Sequence, residues 1–228
     1  MKYPLIVIFL IFLLLSGCSP LQHGNRHIQY RINAGANSGG ITENTDLGLI
    51  PGLGIDAVSG ATKIGLHSGA QLVIPLNSNA IQSGIEFMAN HQVITFNDNT
   101  NGFIGQRNIT LNQWMLPLSY IMVVGGNKRD GGYLQFKIGA LLQYNRVHIY
   151  DHAANLPEFE TKPISGGINL GVISFPFRFQ NGSALGLYIE GYRGSRIYTD
   201  YYNPQNIQTP GSSYLKAGII FSFCIKSN

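Results

Sequence analysis

Few residues in this chain combine a reactive type with a spacing that chemistry can use. His148, Asp151 and His152 put two imidazoles four residues apart around a carboxylate, a spacing that chelates a metal when a helix carries it. Here they straddle the end of a strand and a loop, and the ligand count is too low for a closed metal site. His67 beside Ser68 offers a base and a hydroxyl, as in lipid deacylases. Neighbours on a strand point to opposite faces, so the two cannot serve each other as base and nucleophile. Gly125-Gly126-Asn127-Lys128 lacks the Gly-Lys-Ser/Thr ending of a phosphate loop. No catalytic, cofactor or metal residue is therefore expected. What remains is seven long charged side chains, Arg31, Lys63, Glu86, Lys137, Arg178, Glu190 and Lys216, each on the polar face of a segment that alternates apolar and polar residues.

Composition narrows the elements that can carry them. Charged residues make up 11% of the 228, against about 25% in ordinary domains, while Gly reaches 28 residues and aromatics 11%. A coiled coil, a disordered tail and a soluble helical domain are all excluded. A helical membrane protein would need several apolar runs of about 20 residues, and the chain has one shorter run. The net charge of +4 is scattered, so no nucleic-acid stripe is present.

From Ile28 onward the period is two. Ile28, Tyr30, Ile32, Ala34 and Ala36 oppose Gln29, Arg31, Asn33 and Gly35; Ile64, Leu66, Ala70, Leu72, Ile74 and Leu76 oppose Lys63, Gly65, His67, Gly69 and Gln71. Ile81, Ile85, Phe87 and Val93 oppose Gln82, Gly84, Glu86, Asn90 and Gln92, and Leu134, Phe136, Ile138, Leu142 and Tyr144 oppose Gln135, Lys137, Gly139, Gln143 and Asn145. Residues 164–180 place Phe175, Phe177 and Phe179 on one face; Leu185, Leu187 and Ile189 oppose Tyr188 and Glu190; Leu215, Ala217, Ile219, Phe221 and Phe223 oppose Lys216, Gly218 and Ser222. An eighth strand, 109–124, is apolar on both faces and holds Pro117, which leaves its sides unassigned.

Strands this long match the length that crosses a bilayer at a tilt. Short links at 77–79, 126–131 and 180–182 alternate with long ones at 39–62, 97–108, 150–163 and 199–212. Outer-membrane barrels show the same asymmetry, with the long loops outside. The expected fold is all-β, an eight-stranded antiparallel up-and-down transmembrane β-barrel over 28–225, in contact with outer-membrane lipids. Its interior is just wide enough for side chains to fill, so the seven charges are expected to pair in a plugged polar lumen. Tyr150, Tyr198, Tyr201 and Tyr202 stand where strands meet loops and read as an interfacial girdle. On this reading Arg is costly at Ile138 and tolerated at Gln143.

The N-terminus is an address. Lys2 precedes eleven apolar residues, Leu5 to Leu15, which form a signal-peptide core over 1–17. It ends in Leu15-Ser16-Gly17-Cys18, which resembles a bacterial lipobox and implies acylation of Cys18, with 18–27 as a tether.

The barrel resembles the PorT-like outer-membrane β-barrel family of Bacteroidetes-type bacteria. The resemblance lies in Tyr30-Arg31-Ile32-Asn33-Ala34-Gly35-Ala36-Asn37, in Leu111 to Tyr120 with Met115-Leu116-Pro117-Leu118, and in Lys216-Ala217-Gly218-Ile219-Ile220-Phe221-Ser222-Phe223. The last is similar to a barrel-assembly signal, carried by Lys216, Gly218, Phe221 and Phe223, and implies recognition by the barrel-assembly machinery. The family brings no general catalytic residues. The resulting expectation is a structural or surface-interaction protein of the bacterial outer membrane, with an extracellular ligand or partner protein held by the loops. A membrane-embedded lipid-modifying enzyme and a lipid-tethered soluble ligand-binding barrel stand as alternatives.

Overall fold

Eight antiparallel strands follow one another up and down and close into a ring. The computed structural model describes residues 28–39, 45–50, 54–76, 79–98, 100–124, 134–153, 156, 159–179, 182–195, 197–200 and 212–224. The ring consists of β1 (Gln29–Gly39), β3 (Ile55–Leu76), β4 (Asn79–Asp98), β5 (Gly102–Val124), β6 (Leu134–Asp151), β8 (Ile164–Arg178), β9 (Ala184–Gly194) and β11 (Ser213–Cys224). β1 closes it by pairing with β11, from Gln29↔Cys224 to Gly39↔Tyr214, and with β3, from Gln29↔Val73 to Asn37↔Gly65. β2 (Thr45–Ile50) adds to β3 outside the ring, and β7 (Phe159–Thr161) pairs with β10 (Tyr198–Asp200).

The period-two faces lie as the alternation requires, apolar outward and polar inward. Ile64 is 75% exposed and Leu118 59%, while Gln82, Asn169 and Lys216 are fully buried. The strand with two apolar faces is also resolved. Trp114, Leu116, Leu118, Tyr120 and Met122 point out, and Gln113, Met115, Pro117, Ser119 and Ile121 point in. Pro117 has no N–H to give, and the β4–β5 ladder is interrupted between Ser83↔Leu118 and Glu86↔Met115 without a change of register.

Three expectations are corrected. First, much of two of the four segments read as long loops, 39–62 and 97–108, is strand. β3 begins at Ile55 rather than Lys63, and β4 and β5 run through most of 97–108, leaving 99–101 as the connection. That turn is closed locally: Asp98 accepts hydrogen bonds from the Thr100 N–H (2.8 Å) and the Asn101 side chain, and Gly102 takes φ +88°. These donors hold the Asp98 carboxyl below its ordinary range. The asymmetry between the two ends is thus made by strand length. β3 to β6 have 22, 20, 23 and 18 residues, against 11 in β1 and β9, and rise beyond the ring as a sheet. The turn 126–131 lies outside the described residues.

Second, Lys63 is exposed. A bulge between Lys63↔His91 and Leu66↔Ala89 puts one extra residue in β3, and just beyond it the phase reverses, so that Ala61 and Lys63 are exposed while Val58 packs on the buried cluster. Third, Phe175 points inward at 2% exposure while Phe177 and Phe179 point out, because β8 shifts register between Ser174 and Phe177. Arg178, past the same shift, is half-buried at the strand end and away from the central ion pairs.

Candidate functional site: the filled lumen

Lateral register brings distant charges to one level. Lys137 lies beside Gly171 on β8, Gly171 beside Glu190 on β9, and Glu190 beside Lys216 on β11. Glu86 on β4 comes from the opposite wall. Lys137 Nζ stands 2.5 Å from Glu190 Oε2, and Lys216 Nζ stands 2.9 Å from Glu190 Oε1 and 2.6 Å from Glu86 Oε2. Asn169 donates to Glu190 (3.1 Å), and Asn33 (3.4 Å) and Gln71 donate to Glu86. A Cβ at Gly69 would lie 2.6 Å from Glu86 Cγ and 2.8 Å from Asn33 Oδ1, so a side chain there would displace the carboxylate. Both acids and two bases are therefore joined in one desolvated chain across the barrel, with their remaining oxygens hydrogen-bonded, which is the condition under which buried charge is tolerated.

Arg31 sits apart from this chain. The residue is 1% exposed, and its guanidinium donates to Gln82 Oε1 (3.3 Å) and Gln135 Oε1 (2.9 Å) and lies over the Phe175 ring at 5.2 Å.

Apolar and aromatic layers flank the polar centre. Towards the chain termini, Ile173, Phe175, Ala184 and Ile220 form one cluster and Val73, Ala80 and Ile121 another. Towards the far end come Met88, Met115 and Leu141, with Tyr192 stacked on Tyr214 at 4.5 Å and Gln143 bonded to both hydroxyls (2.9 and 3.0 Å). Beyond them Ile55, Ile94, Phe96, Ile109, Leu111, Leu156 and Ile197 close the mouth. Arg107 spans this cap, paired with Asp151 at 2.6 Å and lying over Phe96. The sequence reading missed Arg107 because it fell in a segment taken for loop. It also missed the inward Phe and Met layers, since an apolar residue at an inward position looks like a fault in the alternation.

The outer wall carries a band bounded by aromatics. On β5 the outward residues run from Trp114 to Val124, about 34 Å along the strand and about 26 Å along the axis at a tilt of about 40°. Phe87, Trp114 and Tyr144 are lateral neighbours at the far border, with Phe87 and Trp114 rings 5.1 Å apart. Past them the outward residues turn polar, with His91, Thr110, Asn112, Arg146 and His148. Near the other border Tyr30 stacks on Phe223 and Phe223 on Phe221, each at 5.8 Å. Tyr150 is three outward positions beyond Tyr144, above the band, and packs edge-on to His152. Tyr201 and Tyr202, like Cys18 and the Tyr198 side chain, lie outside what the structure describes.

The remaining chemical candidates are dispersed. His67 is buried against the Tyr188 hydroxyl and Ser68 is exposed on the other face. Asp151 is held by Arg107 and His152 by Asn108 (2.6 Å), while His148 is exposed. Among the described residues no group of three His, Cys, Asp or Glu side chains could hold a metal ion. In the terminal strand, Lys216 is spent in the ion chain, Gly218 faces Gly35 across the closing seam, Phe221 is half-buried, and Phe223 is buried between the rings of Tyr30 and Phe221.

No family model and no curated protein matches the chain. Among solved structures it is similar to the outer membrane protein OprG from Pseudomonas aeruginosa, with a TM-score of 0.48 and 12% sequence identity over 89% of this chain and 99% of that one.

Proposed function

We propose that the chain is an integral outer-membrane β-barrel whose filled lumen makes it a rigid membrane anchor for a surface-exposed sheet, rather than a channel. The observation that carries this reading is the inverted burial: an apolar outer band bounded by aromatics around ion pairs that are 0–4% exposed. A soluble ligand-binding barrel needs the opposite arrangement, an apolar cavity inside a polar wall. A lipid-modifying enzyme needs a nucleophile beside its base, and His67 and Ser68 face opposite ways. The likeness of Tyr30–Asn37, Leu111–Tyr120 and the terminal strand to the PorT-like family belongs to the same reading, with assembly through Lys216, Gly218, Phe221 and Phe223.

The test is extraction. With residues 1–27 replaced by a cleavable signal, the protein should stay in the outer membrane until detergent is added. Release in soluble form would overturn the reading.

Two further results are expected. Metabolic labelling with palmitate should mark the wild type and not Cys18→Ala, and label persisting in the variant would remove the lipid anchor. Planar-bilayer recordings of the purified barrel should show no sustained large-conductance steps, because side chains fill an eight-stranded interior. Porin-sized steps would contradict the filled lumen.

A further inference from the structure

Among the described residues, the sheet that rises above the aromatic border has an edge with no backbone partner. β6 pairs with β8 only as far as Tyr144↔Ile164, followed by the Asn145 N–H to Pro163 O bond (2.7 Å), whereas its pairing with β5 continues to Arg107↔Asp151. The direction of the remaining backbone groups follows from two bonds. Asn145 N–H points to the β8 side, and His152 N–H donates to Gln106 O on the β5 side (2.8 Å). The β5–β6 register has no shift between them, so Arg146, His148 and Tyr150 are bonded to β5, and Val147, Ile149 and Asp151 turn their N–H and C=O groups to the free side. No backbone bond among the described residues reaches them there. Residues 146–151 carry no proline, lysine or bulge; of the devices that blunt an exposed edge they hold only the charges of Arg146 and Asp151, the latter paired with Arg107.

The side chains state what would fit. Outward stand Arg146, His148 and Tyr150 with His152 beyond; inward stand Val147, packed on the apolar cap, and Ile149, 42% exposed. We propose that this edge binds an extended segment of a partner protein by strand addition, with acidic residues on the outward face alternating with apolar residues on the inward face. A second copy of this chain in the same membrane does not fit. Two copies related by rotation about the membrane normal bring their β6 edges together in parallel with the faces reversed, so Val147 and Ile149 of one would share a face with Arg146 and His148 of the other. The inference rests on the proposed function, which puts this sheet outside the bilayer.

The experiment uses the full-length folded protein in detergent micelles and a fluorescein-labelled, capped peptide of alternating Glu and Val, read by fluorescence anisotropy. Heat-modifiable migration checks in parallel that the barrel is folded, so loss of the edge site and failure of the barrel reading give different results. Saturable binding is expected, weakened about tenfold or more when alternate peptide nitrogens are methylated, since the edge carbonyls then lose their donors. Ile149→Pro should weaken it similarly while the barrel stays folded, because the Ile149 N–H takes no part in the β5 ladder and proline is tolerated on an edge. Ile149→Ala should retain most of the binding. Absence of saturable binding, equal binding of the methylated peptide, or unchanged binding by folded Ile149→Pro would overturn the proposal, as would equal binding of a Lys–Val peptide for its charge preference.

Discussion

Glu86→Ala should destabilise the barrel by about 3 to 5 kcal/mol, the cost of breaking a buried pair from one side. In the wild type Lys216 is shared between Glu86 and Glu190, and Lys137 completes the chain through Glu190. Without Glu86 a single carboxylate is left between two fully buried ammonium groups, and Asn33 and Gln71 lose the acceptor they point at. The double variant Glu86→Gln with Lys216→Met should recover most of the loss, because Lys137–Glu190 then remains as one neutral pair and the removed charges are replaced by groups of similar volume. Denaturant unfolding in phosphocholine vesicles, followed by the emission of Trp114, the single tryptophan, measures both. Equal stability of Glu86→Ala and wild type would show that the ion chain is not desolvated.

Ile138→Arg should cost about 2 to 4 kcal/mol in the same assay, as expected for a guanidinium facing lipid near mid-bilayer. Ile138 is the third of six outward residues from Leu134 to Tyr144 on β6. Asn112→Arg, one outward position beyond Trp114 and past the aromatic border, should change stability by about 0 to 1 kcal/mol. Equal costs at the two positions would remove the lipid band. Gln143, expected from the sequence to tolerate Arg, is not a neutral site. It is 1% exposed and bonded to Tyr192, Tyr214 and Ser165, so a longer side chain there breaks three hydrogen bonds.

The same contrast separates what can be read from the chain from what cannot. Alternation alone assigns Ile138 outward and Lys137 inward, because successive strand side chains must take opposite faces, and it places Arg31, Glu86, Lys137, Glu190 and Lys216 in one lumen. It identifies the strands and their up-and-down order for the same reason. It fails at Lys63 and Phe175, where an extra residue reverses the phase, since a bulge is a property of two strands in register and not of one. It fails at 97–108 too. Asn, Thr and Gly there read as loop until Ile94, Phe96, Ile109 and Leu111 are seen to pack with Ile55, Leu156 and Ile197, and burial then outweighs weak local strand preference. Which acid meets which base was also beyond the sequence. Lys216 and Glu86 are 130 residues apart, and only the closure of β1 onto both β3 and β11 fixes the levels at which opposite walls of the barrel face each other.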